Sequence, residues 1–219
     1  MKIVELFAGT ESLSKVARER GHKTFTTDYN EKFNCDLTGD ILNEDIQNKV
    51  FEQIEKADFV WMSPVCTTWS LASGNTHWTK FRQPKTDNAK IAINMMMFCR
   101  FVADYCVKNK KKFLIENPNG RAVWILDNKY LKRCWYCQYG DDRAKPTNLW
   151  TNLNIEFRTC FNGNKDCHHE SAPRGSKTGT QGLKGNMERS IVPKQLCLEI
   201  LQNLEEEKGY ILPLTSYKE

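Results

Sequence analysis

Two residues stand out as chemical groups. Cys66 follows Ser63-Pro64-Val65 and opens a polar stretch, a setting in which a thiol can act as a nucleophile rather than as a small buried hydrophobe. Glu116 follows the apolar run Phe113-Leu114-Ile115 and precedes Asn117-Pro118; an acid there serves in proton chemistry or caps a turn. Gly9 comes after the first apolar run, and Asp28 and Asp40 close later ones. Glycine admits close approach of a ligand to the backbone, and an acid ending the second strand accepts ribose hydroxyls. The glycine pattern is not that of a dinucleotide site, because Glu11 and Ser12 replace the later glycines and Glu11 repels a pyrophosphate. An adenosyl cofactor without phosphates, S-adenosylmethionine, suits the pattern better.

These residues need elements to hold them. Lys2–Phe7 reads as a strand, Ser12–Arg20 as a helix ended by Gly21, and Thr24–Thr27 as a second strand closed by Asp28. A helix near Asp45–Lys56, a strand Asp58–Met62, a polar loop Thr67–Lys85, a helix Asn88–Lys108 and a strand Lys112–Ile115 follow. Alternating strands and helices predict a doubly wound α/β fold whose ligands sit at the carboxyl ends of the strands. Beyond Pro118 the spacing predicts a helix then a strand within Trp124–Tyr139, a strand over Asn148–Phe157, a long loop over Phe161–Met187 and a final helix Pro193–Glu207.

The chain's 219 residues suffice for one domain with a small appendage and a core of its own. Nine cysteines are odd in number and too dilute for a secreted disulfide scaffold. No apolar run is long enough for a membrane span and no signal peptide opens the chain. The expectation is a cytoplasmic monomer (host-cell cytoplasm if phage-encoded). A net charge of +5 says little about partners, but Gly74–Lys112 carries nine basic residues against Asp87 and Asp104. That stretch is either a solvated face or an anion-binding one.

Glu5-Leu6-Phe7-Ala8-Gly9, Asp40-Ile41, Ser63–Ser70 (SPVCTTWS) and Glu116-Asn117-Pro118, in this order, resemble motifs of the cytosine-5 DNA methyltransferases. Tyr139–Asn152, Cys167–Ser176 and Glu188–Pro193 resemble short members found in bacteriophage genomes, where restriction-modification is one role. The resemblance implies a Rossmann-like S-adenosylmethionine-dependent fold, with Cys66 adding to C6 of a flipped cytosine in DNA and Glu116 holding the N3/N4 edge. Arg143 matches the family's later active-site arginine. It also implies a cofactor pocket of Phe7, Gly9, Asp28, Asp40, Ile41 and Pro64, closed by Ser190 and Val192. Ser70, Trp78, Lys80, Arg82 and Lys85 are expected on nucleic acid, with Trp78 stacking or wedging beside the flipped base. Methylation of RNA cytosine, or a catalytically weak nucleic-acid-binding relative, are the alternatives. Val65 and Thr67 depart from the family's usual proline and glutamine around the nucleophile.

Only 46 residues lie between Arg143 and Ser190, where family members usually carry a large recognition domain. The expected division is a catalytic core over 1–133, a small insertion over 134–187 and a returning helix over 188–219. Cys137, Cys160, Cys167 and His168 have ligand types suited to a tetrahedral structural Zn²⁺, with Cys134 or His169 as replacement; scattered free thiols are the alternative.

Overall fold

The computed structural model describes residues 1–170 and 186–210. Five parallel strands form its centre: β1 (Lys2–Leu6), β2 (Lys23–Asp28), the two-residue β3 (Leu37–Thr38), β4 (Phe59–Met62) and β5 (Lys112–Pro118). A hairpin of β6 (Leu131–Trp135) and β7 (Pro146–Thr151) adds to β5 with β7 antiparallel to it, giving the order β3-β2-β1-β4-β5-β7-β6. The order reverses between β1 and β4, which opens a crevice at their carboxyl ends.

Helices cover both faces, as the sequence predicts. α2 (Glu44–Ile54) and α3 (Asp87–Lys108) bury one face around Val4, Val60, Met96, Val102 and Phe113. The other face packs Ile3, Phe59 and Leu114 against α1 (Ser12–Glu19) and the last helix, which is numbered below. The 22-residue α3 carries Ala89, Ala92, Met96, Cys99, Val102 and Cys106 along one buried stripe, the period of an amphipathic helix. Its start is fixed by Thr86, whose Oγ1 accepts from the Ala89 amide at 3.2 Å. α1 is capped from outside: buried Glu5 on β1 accepts from the amides of Leu13 (3.4 Å) and Ser14 (2.8 Å). Burial pushes the Glu5 carboxyl up to about 7 despite those donors.

The chain after β5 departs from expectation. In place of a helix, short 3₁₀ turns at Arg121–Trp124 and Asn128–Tyr130 precede β6, and a third, Tyr136–Tyr139, follows it. The strand expected to run to Phe157 stops at Thr151. Asn152 there turns its side chain to β5, accepting from the Phe113 amide (3.0 Å) and donating to the Lys111 carbonyl (2.8 Å). Leu153, Ile155 and Phe157 still bury themselves, so their alternation records burial without a partner strand. Since β7 stands inside the sheet, the core does not end at residue 133. A short helix α4 (Asn186–Ser190) occupies the end of the expected loop, and α5 (Lys194–Glu207) returns to α1. Residues 171–185 of the expected insertion and 211–219 of the expected C-terminal segment lie outside the described residues. No helix among the described residues is long and apolar enough to cross a membrane.

Candidate active site

Cys66 and Glu116 stand at the carboxyl ends of the neighbouring strands β4 and β5. Asn117, fully buried, donates from Nδ2 to the Pro64 carbonyl (3.0 Å) and fastens the Cys66 loop to β5. Past Cys66 the chain folds back at once, with the amides of Trp69 (3.1 Å) and Ser70 (2.9 Å) donating to the Cys66 carbonyl. Gly120 then approaches Trp69 so closely that a Cβ would lie 2.3 Å from the Trp69 carbonyl oxygen. Only glycine leaves room for the Ser70–Gly120 bridge and for the Arg121 amide to donate to Trp69 at 2.8 Å. Arg121 also donates from its guanidinium to the carbonyls of Ser70 (2.8 Å) and Gly74 (2.7 Å).

Cys66 is exposed to solvent. Desolvation, then the Glu116 carboxylate, push its thiol above the ordinary 9.0, and the Lys145 ammonium pulls it down. Glu116 is buried, and Tyr136 donates its hydroxyl to Glu116 Oε1 at 3.0 Å, which orients the carboxyl group. The Tyr136 hydroxyl is raised far above its ordinary value, by burial first and then by Glu116, and so stays a donor.

Arg143, expected in catalysis, is buried and fully engaged. Its guanidinium holds the Asp141 carboxylate through Nε (2.7 Å) and a short Nη2 contact, and donates from Nη1 to the Arg189 carbonyl (3.2 Å). The buried Lys145 ammonium interacts electrostatically with both Cys66 and Glu116. Its ammonium donates to the Arg189 carbonyl (3.0 Å) and lies 4.2 Å from the Tyr136 ring centre. Burial lowers its pKa and Glu116 opposes that shift. Lys145 and Tyr136 are not among the residues expected here; a lysine two residues beyond Arg143 is the available signal for the first.

Phe7, Asp28, Asp40 and Ile41 line one cleft at the strand ends, together with Tyr29, Val65 and Met95. The loop below it turns through left-handed backbone at Phe7 (φ 57°), Gly9 (φ 48°) and Glu11 (φ 54°), conformations that non-glycine residues hold under strain. Asp28 fixes this loop, accepting from Gly9 (3.0 Å) on one oxygen and Asn30 (2.9 Å) on the other, each of which retains a lone pair for a further hydroxyl. Val192 joins the same loop through its amide to Ser12 Oγ (3.2 Å), and Ser190 is exposed two residues before it. The cleft thus offers apolar walls and carboxylate acceptors with no cation among its lining residues, which fits an adenosyl group and disfavours phosphates. Tyr29, 65 % exposed, is an aromatic face at this cleft that the sequence reading did not single out. A more open depression between Gly140 and Gln195 contains neither Cys66 nor Glu116.

In the loop expected on nucleic acid, one residue stands elsewhere than expected. Trp78 is not free to stack on a base: it is buried, 4.8 Å from the Trp69 ring and 5.4 Å from Trp124, with its indole N–H on the Thr68 carbonyl (2.6 Å). It anchors a small hairpin, bridged between Trp78 and Pro84, whose tip is Lys80-Phe81-Arg82. Phe81 is 73 % exposed and lies between the two exposed cations. Lys85, also exposed, donates to the Asn75 carbonyl (3.0 Å), while the Ser70 hydroxyl caps a 3₁₀ turn by accepting from Ala72 (3.2 Å).

Of the expected metal ligands, Cys137, Cys160 and Cys167 converge with His169; their ligand atoms all lie within 4.8 Å of one another. His168 is outside this set because its exposed ring turns the other way, donating from Nε2 to the Asp141 carbonyl at 3.1 Å. Cys134 is in the core beside Tyr136.

No protein-family model matches the chain. A protein of Frog virus 3 (isolate Goorha) described as a probable DNA (cytosine-5)-methyltransferase is 28 % identical over 221 residues, covering 92 % of this chain and 99 % of that protein. Solved structures similar to the chain include a DNMT2 mutant from Spodoptera frugiperda (TM-score 0.42, 15 % identity, 73 % of this chain and 55 % of that one). The S. pombe Dnmt2 methyltransferase is another (TM-score 0.42, 14 % identity, 71 % and 50 %). The chain spans about half the length of both structures.

Proposed function

We propose, from the premise that this chain belongs with the cytosine-5 methyltransferases, that it methylates C5 of cytosine in DNA through a covalent bond from Cys66 to the base. The carrying observation is the pairing of Cys66 and Glu116 at adjacent strand ends, with Lys145 acting on both and Tyr136 orienting the acid. Cys66 loses its proton to solvent, and the thiolate adds to C6. Electron density moves to N3, where Glu116 stabilises the incoming proton, and C5 becomes nucleophilic. Lys145 lowers the cost of the thiolate and keeps Glu116 balanced in a partly dry site. With a methyl group gained at C5, loss of the C5 proton to solvent and return of the N3 proton through Glu116 would reform the C5–C6 double bond and expel Cys66 as thiolate. Arg143 serves by holding Asp141 and the Arg189 carbonyl.

Phe7, Gly9, Asp28, Asp40, Ile41 and Tyr29 would hold S-adenosylmethionine, with Asp28 on ribose hydroxyls, and Pro64, Ser190 and Val192 close by. Bound there, it supplies an electrophilic methyl group. A paired cytosine must leave the stack to reach Cys66, at a cost of a few kcal/mol. The Phe81 tip between Lys80 and Arg82 is suited to fill the gap while its cations, with Lys85, hold phosphates. Tritium transfer from labelled cofactor to DNA and to RNA, followed by nucleoside analysis, tests the reading. Labelled 5-methylcytosine in DNA is expected. Label confined to RNA would move the substrate to the other polymer, and binding without label would leave a nucleic-acid-binding module.

A further inference from the structure

We propose that Cys137, Cys160, Cys167 and His169 bind one Zn²⁺ in a closed tetrahedral site, and that this ion positions the segment leading to Lys145. The four ligands come from separate pieces of chain. Cys137 lies in the 3₁₀ turn after β6, Cys160 follows β7 by nine residues, and Cys167 and His169 lie in the next loop. Their ligand atoms nevertheless gather within 4.8 Å of one another. With metal–sulfur bonds of about 2.3 Å and metal–nitrogen bonds of about 2.0 Å, a tetrahedron has edges of about 3.5–3.8 Å. Cys160 Sγ and His169 Nδ1 already stand 3.9 Å apart.

Three further observations point to a cation. His169 is 5 % exposed, yet its Nδ1 faces only a thiol and its Nε2 has no hydrogen-bond partner among the described residues. A buried imidazole with so little to bond is explained when it ligates a metal. The sulfurs also receive amide donors, Gln138 Nε2 to Cys167 Sγ at 3.5 Å and Asn164 Nδ2 to Cys160 Sγ at 3.4 Å, the outer contacts that thiolates on a metal require. Finally, no described residue from Arg158 to Glu170 belongs to either hydrophobic cluster, so this loop has no core to order it.

The loop lies against the catalytic side of the hairpin. His168 donates to the Asp141 carbonyl (3.1 Å), the Glu170 amide donates to the Asp142 carbonyl (3.2 Å), and Glu170 forms a bridge with Arg143. Residues 141–143 are thus held between the Tyr136 carbonyl, which accepts from the Asp141 amide (3.2 Å) one residue before Cys137, and the His168–Glu170 turn, two residues before Lys145. The positioning part of the proposal rests on the function proposed above; the metal site does not.

Metal analysis of the full chain, purified reduced and without chelator, tests the site. One zinc per chain is expected, together with thiolate-to-metal charge transfer and tetrahedral ligand-field bands after Co²⁺ exchange. Cys160→Ser should drop zinc below about a tenth of an equivalent, His169→Cys should keep it as a four-thiolate site, and His168→Ala should leave it unchanged. Less than about a fifth of an equivalent in the wild type with no cobalt spectrum, or a disulfide among the three thiols, would overturn the site. For the positioning role, protein stripped of zinc should methylate at least tenfold more slowly, recover on adding Zn²⁺, and show easier proteolysis within 158–170. A stripped protein as fast as the loaded one would overturn that role alone. Stoichiometric zinc in a protein inactive on every nucleic acid would sustain the site while the functional reading failed.

Discussion

Replacing Gly120 by alanine should cripple turnover far more than it weakens the fold. The backbone at Gly120 is extended (φ −173°), a conformation any residue adopts, so the effect is one of space alone. A Cβ there meets the Trp69 carbonyl oxygen at 2.3 Å, whereas ordinary contact begins at 3.4 Å, so the two segments must part by about 1 Å. Trp69 is three residues from Cys66 and donates its amide to the Cys66 carbonyl, so the retreat is passed to Cys66. A misplacement of about 1 Å at a reacting group costs about 10²-fold in rate. The stability loss should be about 1–3 kcal/mol, from overpacking and from weakening one hydrogen bond, and each kcal/mol lowers the melting temperature by about 2–4 °C. Single-turnover methyl transfer per folded molecule, beside a thermal melt, separates the two. Asn119→Ala, at an exposed neighbour whose backbone bond to Pro146 is kept, is the control. A Gly120→Ala protein that turns over at the wild-type rate would refute the clamp, whatever its melting temperature.

Three other outcomes are expected. The rate of adduct formation should rise with pH along a limb above 9.0, because burial and Glu116 raise the Cys66 thiol; Lys145→Met should push that limb higher, and an unmoved limb would remove Lys145 from the site. Glu5, pushed up to about 7 in the fold against 4.5 in the unfolded chain, keeps its proton where the unfolded state has lost it. Stability should therefore fall by about 3 kcal/mol as pH rises from 4.5 to 7, and Glu5→Gln, which keeps an acceptor for the α1 amides, should flatten that slope in denaturant titrations. Phe81→Ala should weaken duplex binding by about 5- to 100-fold without shifting the melt, since the ring stacks on nothing buried; unchanged affinity would exclude the tip from the interface.

The parallel core was legible because its signals are local. Strands such as Phe59–Met62 and Phe113–Ile115 are continuous apolar runs, and Thr86 marks the start of α3 within two residues. The same logic puts Cys66, Glu116, Asp28 and Asp40 at the ends of such runs, and the structure has them near the carboxyl ends of strands. The errors came where three-dimensional partners decide the outcome. Leu153-x-Ile155-x-Phe157 alternates like a strand but pairs with no strand among the described residues. Trp78 sits in a polar loop with Lys80, Arg82 and Lys85, which points it at nucleic acid, yet Trp69 and the sequence-distant Trp124 enclose it. His168 and His169 are adjacent and chemically identical, and only the direction of the chain distinguishes the one facing the thiols. Lys145 carries no apolar or glycine signal at all; the role proposed for it rests on its burial and its electrostatic interaction with Glu116.

The account turns on a bond between Cys66 and cytosine. Incubation of the protein with cofactor and DNA containing 5-fluorocytosine, in which the C5 substituent cannot leave as a proton, should give a complex that survives denaturation and maps by mass spectrometry to Cys66. Cys66→Ala should give none while still binding the DNA. An adduct at another cysteine, or methylated product from Cys66→Ala, would contradict it.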